Sequence, residues 1–279
     1  PQEQIFGDLV RKAVQLPEAE FSRQGVCRRR VCEALTAACR TAFPGPVQIN
    51  VPVACIRKLT PEDYSLKGFR EVPVEVVAPG DETAWEASRQ ILGKAGRILV
   101  IWGQSAPPAA EVLQDLAAFC RRYGAALVAD HLGNIRGEHV ISAYRLAKKL
   151  EPAKADPALL ADLAPDVVIT IGGNSLIAVL TKNMLKRKIR SFVHWDVSEG
   201  GEFRDPYLRL TRVFRCRKEE FLANMVKICG GGETGAGQIP ESGSVYPALW
   251  RRHGEIPFQE PSEYGQRYGI WHALKTLPA

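Results

Sequence analysis

The chain has 279 residues, of which 46% are hydrophobic and 24% are charged. This composition is typical of a globular protein and excludes a disordered or collagen-like chain. No apolar run approaches the ~20 residues that a membrane-spanning helix needs, and the N-terminus shows no signal peptide. Because the sequence lacks an initiator methionine and stops abruptly at Ala279, we expect it to be a fragment of a longer protein.

Lysine and arginine outnumber aspartate and glutamate by 37 to 31, which gives a net charge of +6. The densest basic cluster, Arg28-Arg29-Arg30, lies in a stretch with helical periodicity, and we interpret it as a solvated helix face rather than a nucleic-acid interface. Seven cysteines without a Cys-x-x-Cys pair indicate reduced, mostly buried thiols rather than disulfides or a zinc site. We therefore expect a cytoplasmic protein that binds neither nucleic acid nor membrane.

The first forty residues have the apolar spacing of helices. Ile5, Leu9 and Val14 share one face of a first predicted helix, which ends at Pro17, and a second helix follows as far as Phe43. The next element is a short strand.

That strand covers residues 47–51, between a Pro-Gly-Pro turn and Pro52. Residues 54–81 are rich in proline and poor in pattern. We interpret them as a linker that contains one short strand at 74–77.

Strand-like apolar runs alternate with helical stretches between residues 82 and 229. The predicted strands are residues 98–102, 126–129, 167–171, 192–197 and, as an edge strand, 213–215. The predicted helices are residues 107–123, a stretch that ends at 150, 175–186 and 219–228. This alternation predicts an α/β fold of three layers, in which a mostly parallel sheet has helices on both faces. A glycine-rich linker then precedes two predicted helices, 245–252 and 264–274.

Turn-forming residues follow the predicted strands, and open α/β sheets bind ligands at the carboxyl ends of their strands. Gly172-Gly173-Asn174-Ser175 follows a buried strand and begins a helix, so its backbone amides could hold an anion. The alternative is a tight turn in which Asn174 or Ser175 caps the helix. Asn134 and Arg136 lie on the loop after another strand, at the same edge of the sheet.

Other polar residues near the strand ends have no assigned catalytic role. Asp130-His131 could supply an acid and a base, but neither a nucleophile elbow nor a third orienting group accompanies them. His194 and Asp196 share a strand face without a third metal ligand, and we interpret Arg204-Asp205-Pro206 as a charged pair before a turn. The sequence therefore predicts an anion site without catalytic, cofactor-binding or metal-binding residues. The candidate residues are Asn134, Arg136, Asn174, Ser175 and Arg204.

Short motifs occur along the chain in the order in which thiamine-diphosphate-dependent enzymes carry them. Gly45-Pro46-Val47-Gln48-Ile49-Asn50-Val51-Pro52 resembles the segment that closes the pyrimidine-binding domain of those enzymes. The resemblance is stronger to the synthases of menaquinone biosynthesis that join a succinyl-semialdehyde unit from 2-oxoglutarate to isochorismate. The stretches similar to these synthases are Gln4–Val10, Arg97–Ser105, Leu127–Arg136, Pro165–Gly173 and Asp196–Pro206.

This resemblance implies a Rossmann-like central domain from a transferase that uses thiamine diphosphate and Mg²⁺. Residues 1–53 then form the C-terminal part of the pyrimidine-binding domain, residues 82–229 the central domain, and residues 230–279 lead to the diphosphate-binding domain. The Gly-Asp-Gly and Asn-Asn signature that holds Mg²⁺ and diphosphate in this superfamily occurs nowhere in the sequence. We therefore expect this fragment to bind neither cofactor and to be inactive alone. Its expected partners are the remaining domains of the same protein and further copies in a homo-oligomer.

The sequence departs from the family pattern at two points. The uncharged stretch Ile177-Ala178-Val179 lies where the family usually has a Ser-Lys or Lys-Arg pair, and His131 replaces a proline. Two alternatives therefore stay open. One is the central domain of an acetohydroxyacid synthase or a 2-oxoacid decarboxylase, and the other is a stand-alone anion-binding α/β module.

Overall fold

The computed structural model describes residues 5–17, 24–52, 74–137, 139–142, 157–173, 184–185, 189, 191–227 and 245–254. The strands that these residues form are β1 (Lys12–Gln15), β2 (Val47–Asn50), β3 (Glu75–Val77), β4 (Ile98–Trp102), β5 (Ala126–Ala129), β6 (Val140–Ser142), β7 (Val167–Ile171), β8 (Val193–Val197) and β9 (Leu210–Phe214). The α-helices are α1 (Gln24–Cys39), α2 (Glu82–Lys94), α3 (Ala110–Tyr123), α4 (Pro157–Leu163), α5 (Lys218–Val226) and α6 (Val245–Gly254). Within this part of the chain, no helix is both long and apolar enough to cross a lipid bilayer.

Seven of the strands form one sheet in the order β3-β9-β8-β7-β4-β5-β6, and every neighbouring pair in it is parallel. The central strands β4, β5 and β7 are near-continuous runs of buried apolar residues, as a parallel sheet covered on both faces requires. The predicted α/β fold with a parallel sheet is therefore confirmed.

Alternate residues of the strands belong to two separate hydrophobic clusters, one on each face of the sheet. On the first face, Ile98, Val100 and Trp102 pack with buried side chains from α2, α3 and α5. On the second face, Leu99 and Ile101 pack with buried side chains from α4 and α6. The helices thus cover both faces, which makes the three layers that the sequence predicts.

The large sheet has a topological switch point between β4 and β7. From β4 the chain continues to β5 and β6 on one side, and then returns to β7 and β8 on the other. The loops after β4 and β7 therefore lie side by side at the carboxyl edge, where open α/β sheets bind ligands. No helix separates β8 from β9. Residues 198–209, which we call the crossover, connect these two parallel strands instead.

The first predicted helix is wrong, because Gly7–Leu9 is a single 3-10 turn and the residues after it form β1. β1 pairs in parallel with β2, which confirms the strand predicted over 47–51. Val14 is only 3% exposed, whereas Ile5 and Leu9 are more than half exposed, so the apolar residues at helical spacing do not share a buried face. Pairing with a strand that follows α1 decides the structure of this segment, and local periodicity cannot show such pairing.

β9 is not the edge strand that the sequence predicts, because β3 pairs along its outer side. The strand predicted at 74–77 is present as β3, and β6 is an additional strand of three residues. The helices predicted over 107–123, 219–228 and 245–252 are present as α3, α5 and α6. The predicted segments that lie outside the described residues are the linker over 54–73, the helical stretch over 143–150, most of the helix over 175–186, the glycine-rich linker after 230 and the helix over 264–274.

Candidate functional site

A cavity of about 710 Å³ lies at the carboxyl edge of the large sheet, at its topological switch point. Gly103 after β4 and Gly173 after β7 contribute to its floor, while α1 and the crossover supply its walls. The charged side chains that line it are Arg11, Lys12, Arg29, Arg30, Glu33, Glu202, Arg204 and Asp205. Basic residues outnumber acidic ones in this set by five to three, so the lining favours an anionic ligand.

The floor of the cavity depends on close packing between the loops after β4 and β7. The amide of Gly103 donates to the carbonyl of Ile171 at 2.8 Å, and the amide of Gly173 donates to the carbonyl of Gln104 at 2.8 Å. Gly172 has a φ of +90°, and a Cβ at this position would lie 2.9 Å from the carbonyl oxygen of Gln104. Glycine is therefore required at residue 172 both for its backbone conformation and for the approach of the neighbouring loop.

Arg204 on the crossover is fixed by three hydrogen bonds to the ends of β7 and β8. Its Nε donates to Oδ2 of Asp196 at 2.8 Å, Nη1 donates to the carbonyl of Gly172 at 2.8 Å, and Nη2 donates to the carbonyl of Val197 at 2.9 Å. A guanidinium group has five N–H donors, so two remain for a ligand in the cavity. Burial raises the pKa of Asp196, and the Arg204 charge and a hydrogen bond from Thr170 oppose that rise.

Thr170 and His194 connect this ion pair to the interior beneath the crossover. Because side chains alternate along a strand, His194 and Asp196 share one face of β8, as the sequence predicts, and the register places Thr170 beside Asp196. Oγ1 of Thr170 lies 2.6 Å from Oδ1 of Asp196 and 2.9 Å from Nε2 of His194. The imidazole is fully buried, and burial, together with Arg204 and Arg29, lowers the pKa of His194 to about 3.

Asp205 and Arg29 form a second ion pair, which joins the crossover to α1. Oδ1 of Asp205 accepts hydrogen bonds from the backbone amides of Arg209 at 2.8 Å and Leu210 at 3.1 Å, and Oδ2 contacts Nη1 of Arg29. The Asp205 side chain is 2% exposed and that of Arg29 is 17% exposed. Burial and the nearby Arg209 lower the pKa of Arg29 to about 10, so Arg29 remains charged at neutral pH.

The structure describes three of the five residues predicted for the anion site. Arg204 lines the cavity, whereas the described lining contains neither Asn134 nor Arg136. Asn134 adopts a left-handed backbone conformation after β5 and donates to the carbonyl of Ser105 at 2.7 Å, and Arg136 is exposed on the same loop. Asn174 and Ser175 lie outside the described residues.

Two interpretations of charged residues need correction. The solvated helix face predicted for Arg28-Arg29-Arg30 fits Arg30, whose side chain is half exposed, but Arg29 points to the buried Asp205. Arg204 and Asp205 do not pair with each other, because each is held by a partner from a different element. One feature of the sequence does indicate this site: Thr170 is a polar residue in an otherwise apolar buried strand.

The structure gives Asp130 a structural role and leaves His131 at the surface. Oδ1 of Asp130 accepts a hydrogen bond from the amide of Leu132 at 2.8 Å and caps the short 3-10 turn over His131–Gly133, and His131 is exposed. No group of three His, Cys, Asp or Glu side chains within the described ranges is arranged to hold a metal ion.

Comparison with known proteins gives a consistent set of relatives, although no protein-family model matches the chain. The chain is 24% identical over 292 residues to the 2-succinyl-5-enolpyruvyl-6-hydroxy-3-cyclohexene-1-carboxylate synthase of Phocaeicola vulgatus, with 100% of the chain and 47% of the relative covered. It is 28% identical over 239 residues to the synthase of the same name from Bacillus cytotoxicus, with 80% and 38% covered. The corresponding protein of Bacteroides thetaiotaomicron is 24% identical over 295 residues, with 100% and 47% covered.

The chain thus spans about half the length of the curated relatives it matches. Its similarity extends over the whole chain in two of these three relatives. The resemblance that the sequence motifs indicate is therefore confirmed: the chain is similar to these synthases.

Proposed function

We propose that this chain is the central part of a thiamine-diphosphate-dependent synthase of menaquinone biosynthesis. The synthase would join a succinyl-semialdehyde unit, derived from 2-oxoglutarate, to isochorismate. The observation that carries this proposal is the alignment of the whole chain with synthases of the same name from different bacteria, together with a parallel three-layer fold. A cytoplasmic location and transferase chemistry belong to the same proposal.

The basic cavity supports an acidic ligand for this protein. The name of the relatives describes a product with a succinyl, an enolpyruvyl and a ring carboxylate group. A cavity whose lining has more arginine and lysine than acidic side chains favours such an anion. We place the anion site here, with Arg204 as the predicted residue that lines it. Asn134 and Arg136 remain candidates for a ligand that extends along the edge toward β5.

The residues present do not fit thiamine diphosphate or Mg²⁺. The described side chains include no cluster of metal-ligating residues, and two of the three acidic residues that line the cavity, Glu33 and Asp205, are paired with basic ones. The sequence also lacks the Gly-Asp-Gly and Asn-Asn signature. We therefore assign no catalytic step to this chain and propose that both cofactors bind to other domains of the synthase.

The reaction of the full-length protein that contains this chain tests the proposal. We expect consumption of isochorismate that requires 2-oxoglutarate, thiamine diphosphate and Mg²⁺, followed by mass spectrometry of the product. Formation of an acetohydroxy acid, or release of a free aldehyde from a 2-oxoacid, would instead support the related synthases and decarboxylases. Absence of any thiamine-dependent turnover would favour a stand-alone anion-binding module.

A further inference from the structure

A row of polar side chains connects Arg29 on α1 to Arg204 on the crossover, and both arginines line the cavity. Nη1 of Arg29 contacts Asp205, and Oδ1 of Asp205 lies 3.7 Å from Nδ1 of His194. On the other side of the imidazole, Nε2 contacts Thr170, which in turn contacts the carboxylate that holds Arg204. We call this set the polar cluster, and its members are Arg29, Thr170, His194, Asp196, Arg204 and Asp205.

The hydrogen atoms available in the polar cluster fix the protonation of the imidazole. The charge of Arg204, whose Nε donates to Oδ2 of Asp196, favours the ionised form of this aspartate, and the hydroxyl of Thr170 then donates its single hydrogen to Oδ1 in a hydrogen bond of 2.6 Å. The hydroxyl oxygen of Thr170 must then accept a hydrogen bond from Nε2–H of His194. The neutral imidazole therefore has its proton on Nε2, which leaves Nδ1 as a bare acceptor.

Nδ1 of His194 faces another acceptor. It is fully buried and has no hydrogen-bond partner among the residues that the structure describes. Oδ1 of Asp205 lies 3.7 Å from it and accepts its own hydrogen bonds from two backbone amides. A lone pair opposite a carboxylate oxygen is unfavourable, whereas a proton on Nδ1 would give a charge-assisted hydrogen bond.

The surrounding charges oppose that proton when the cavity holds no anion. Burial is the largest cause of the lowered pKa of His194, and the charges of Arg204 and Arg29 add to it. Both arginines line the cavity, so an anion bound there offsets the charges that repel a proton on the imidazole. The ionisable groups near the ring from α1, β8 and the crossover are Arg29, Arg204, Asp205, Tyr207 and, through Thr170, Asp196. Arg209 acts on Arg29, whose pKa it lowers.

We propose that His194 is a positioning residue that takes up a proton from solvent when an anion binds in the cavity. The new N–H at Nδ1 donates to Oδ1 of Asp205. The positive charge of the imidazolium balances the negative charges of Asp196 and Asp205 while Arg29 and Arg204 bind the anion. Anion affinity then rises as the pH falls, because linked equilibria are reciprocal. This inference rests on the proposed anion site and specifies how that site is regulated.

Calorimetric titration of the chain with sulfate tests the inference. Sulfate is a suitable probe because its charge is constant between pH 5 and pH 8. We expect titrations in two buffers of different ionisation enthalpy to show proton uptake that approaches ~1 per sulfate as the pH is lowered, with an affinity that rises by up to about tenfold per pH unit. His194→Gln retains a side-chain N–H for Thr170 but cannot titrate, so uptake and pH dependence should be lost. Arg121→Gln, an exposed arginine on α3, should behave like the wild type.

The possible results separate this inference from the anion site itself. Sulfate binding without proton uptake, or an equal pH dependence in His194→Gln, would refute the role of His194 and leave the anion site standing. Absence of sulfate binding at pH 5.5 would refute both. The ¹⁵N spectrum of wild-type His194 adds a test that needs no variant to fold: we expect a protonated Nε2 and a bare Nδ1 at pH 7, and the opposite tautomer would overturn the inference.

Discussion

The buried imidazole of His194 makes the stability of the fold depend on pH. Its pKa falls from 6.5 to about 3 on folding, because burial and two arginines disfavour the charged form. As the pH falls, the unfolded chain therefore binds a proton at His194 before the folded chain does. The contribution of the neutral imidazole to the stability of the fold is thus complete above pH 6.5 and is lost as the pH falls toward 3. One pKa unit corresponds to ~1.4 kcal/mol, so we expect His194 to destabilise the fold by about 2 kcal/mol between pH 7 and pH 5.

Urea denaturation at these two pH values, in a buffer without multivalent anions, measures this effect. We expect the wild type to lose about 2 kcal/mol more than His194→Gln, since titration of all other groups contributes to both proteins and cancels in the difference. His131 is exposed, so His131→Gln should lose as much as the wild type. Equal acid losses in the wild type and His194→Gln would refute the assignment of His194 as a buried neutral imidazole.

Three further predictions concern the free energy of unfolding, measured by urea denaturation at pH 7. Gly172→Ala should cost about 1–3 kcal/mol, because φ is +90° and the new Cβ would lie 2.9 Å from a carbonyl oxygen. The control Gly173→Ala, whose Cβ would have its nearest contact at 3.4 Å, should cost less than ~1 kcal/mol. Equal costs for the two variants would contradict the close approach of the loop to Gly172. Leu116→Ala removes a side chain that is 2% exposed and should cost about 2–5 kcal/mol, against ~0.5 kcal/mol for Leu113→Ala at 37% exposure. Asp81→Ala removes the side-chain cap on the amide three residues into α2 and should cost ~1 kcal/mol, and no loss would show that water replaces the cap.

The central strands could be predicted from the sequence because burial on both faces makes them continuous apolar runs. The predicted bounds 98–102, 126–129 and 167–171 coincide with β4, β5 and β7. β1 could not be predicted, because its four residues become a strand only by pairing with β2. The position of β9 inside the sheet could not be predicted either. β3 pairs along its outer side, and local sequence does not show pairing with a strand so distant in the chain.

The candidate site shows the same division between local and long-range information. The carboxyl edge of the sheet and the shared face of His194 and Asp196 follow from strand positions and alternation. The partner of Asp205 does not, because Arg29 reaches it only when α1 packs against the crossover. A cluster of three arginines on a helix is usually solvated, and only the tertiary structure shows which one is turned inward.

Selective binding of a carboxylate ligand by the basic cavity tests the proposed site most directly. Calorimetric titration of the chain with succinate should give a saturable signal, and the uncharged diamide succinamide should give none, because the lining compensates negative charge. Arg30 lines the cavity and its side chain is half exposed, so Arg30→Gln should preserve the fold and weaken succinate binding by about fivefold, or ~1 kcal/mol. Equal signals from succinate and succinamide, or no binding of either ligand, would contradict the assignment of this cavity as an anion site.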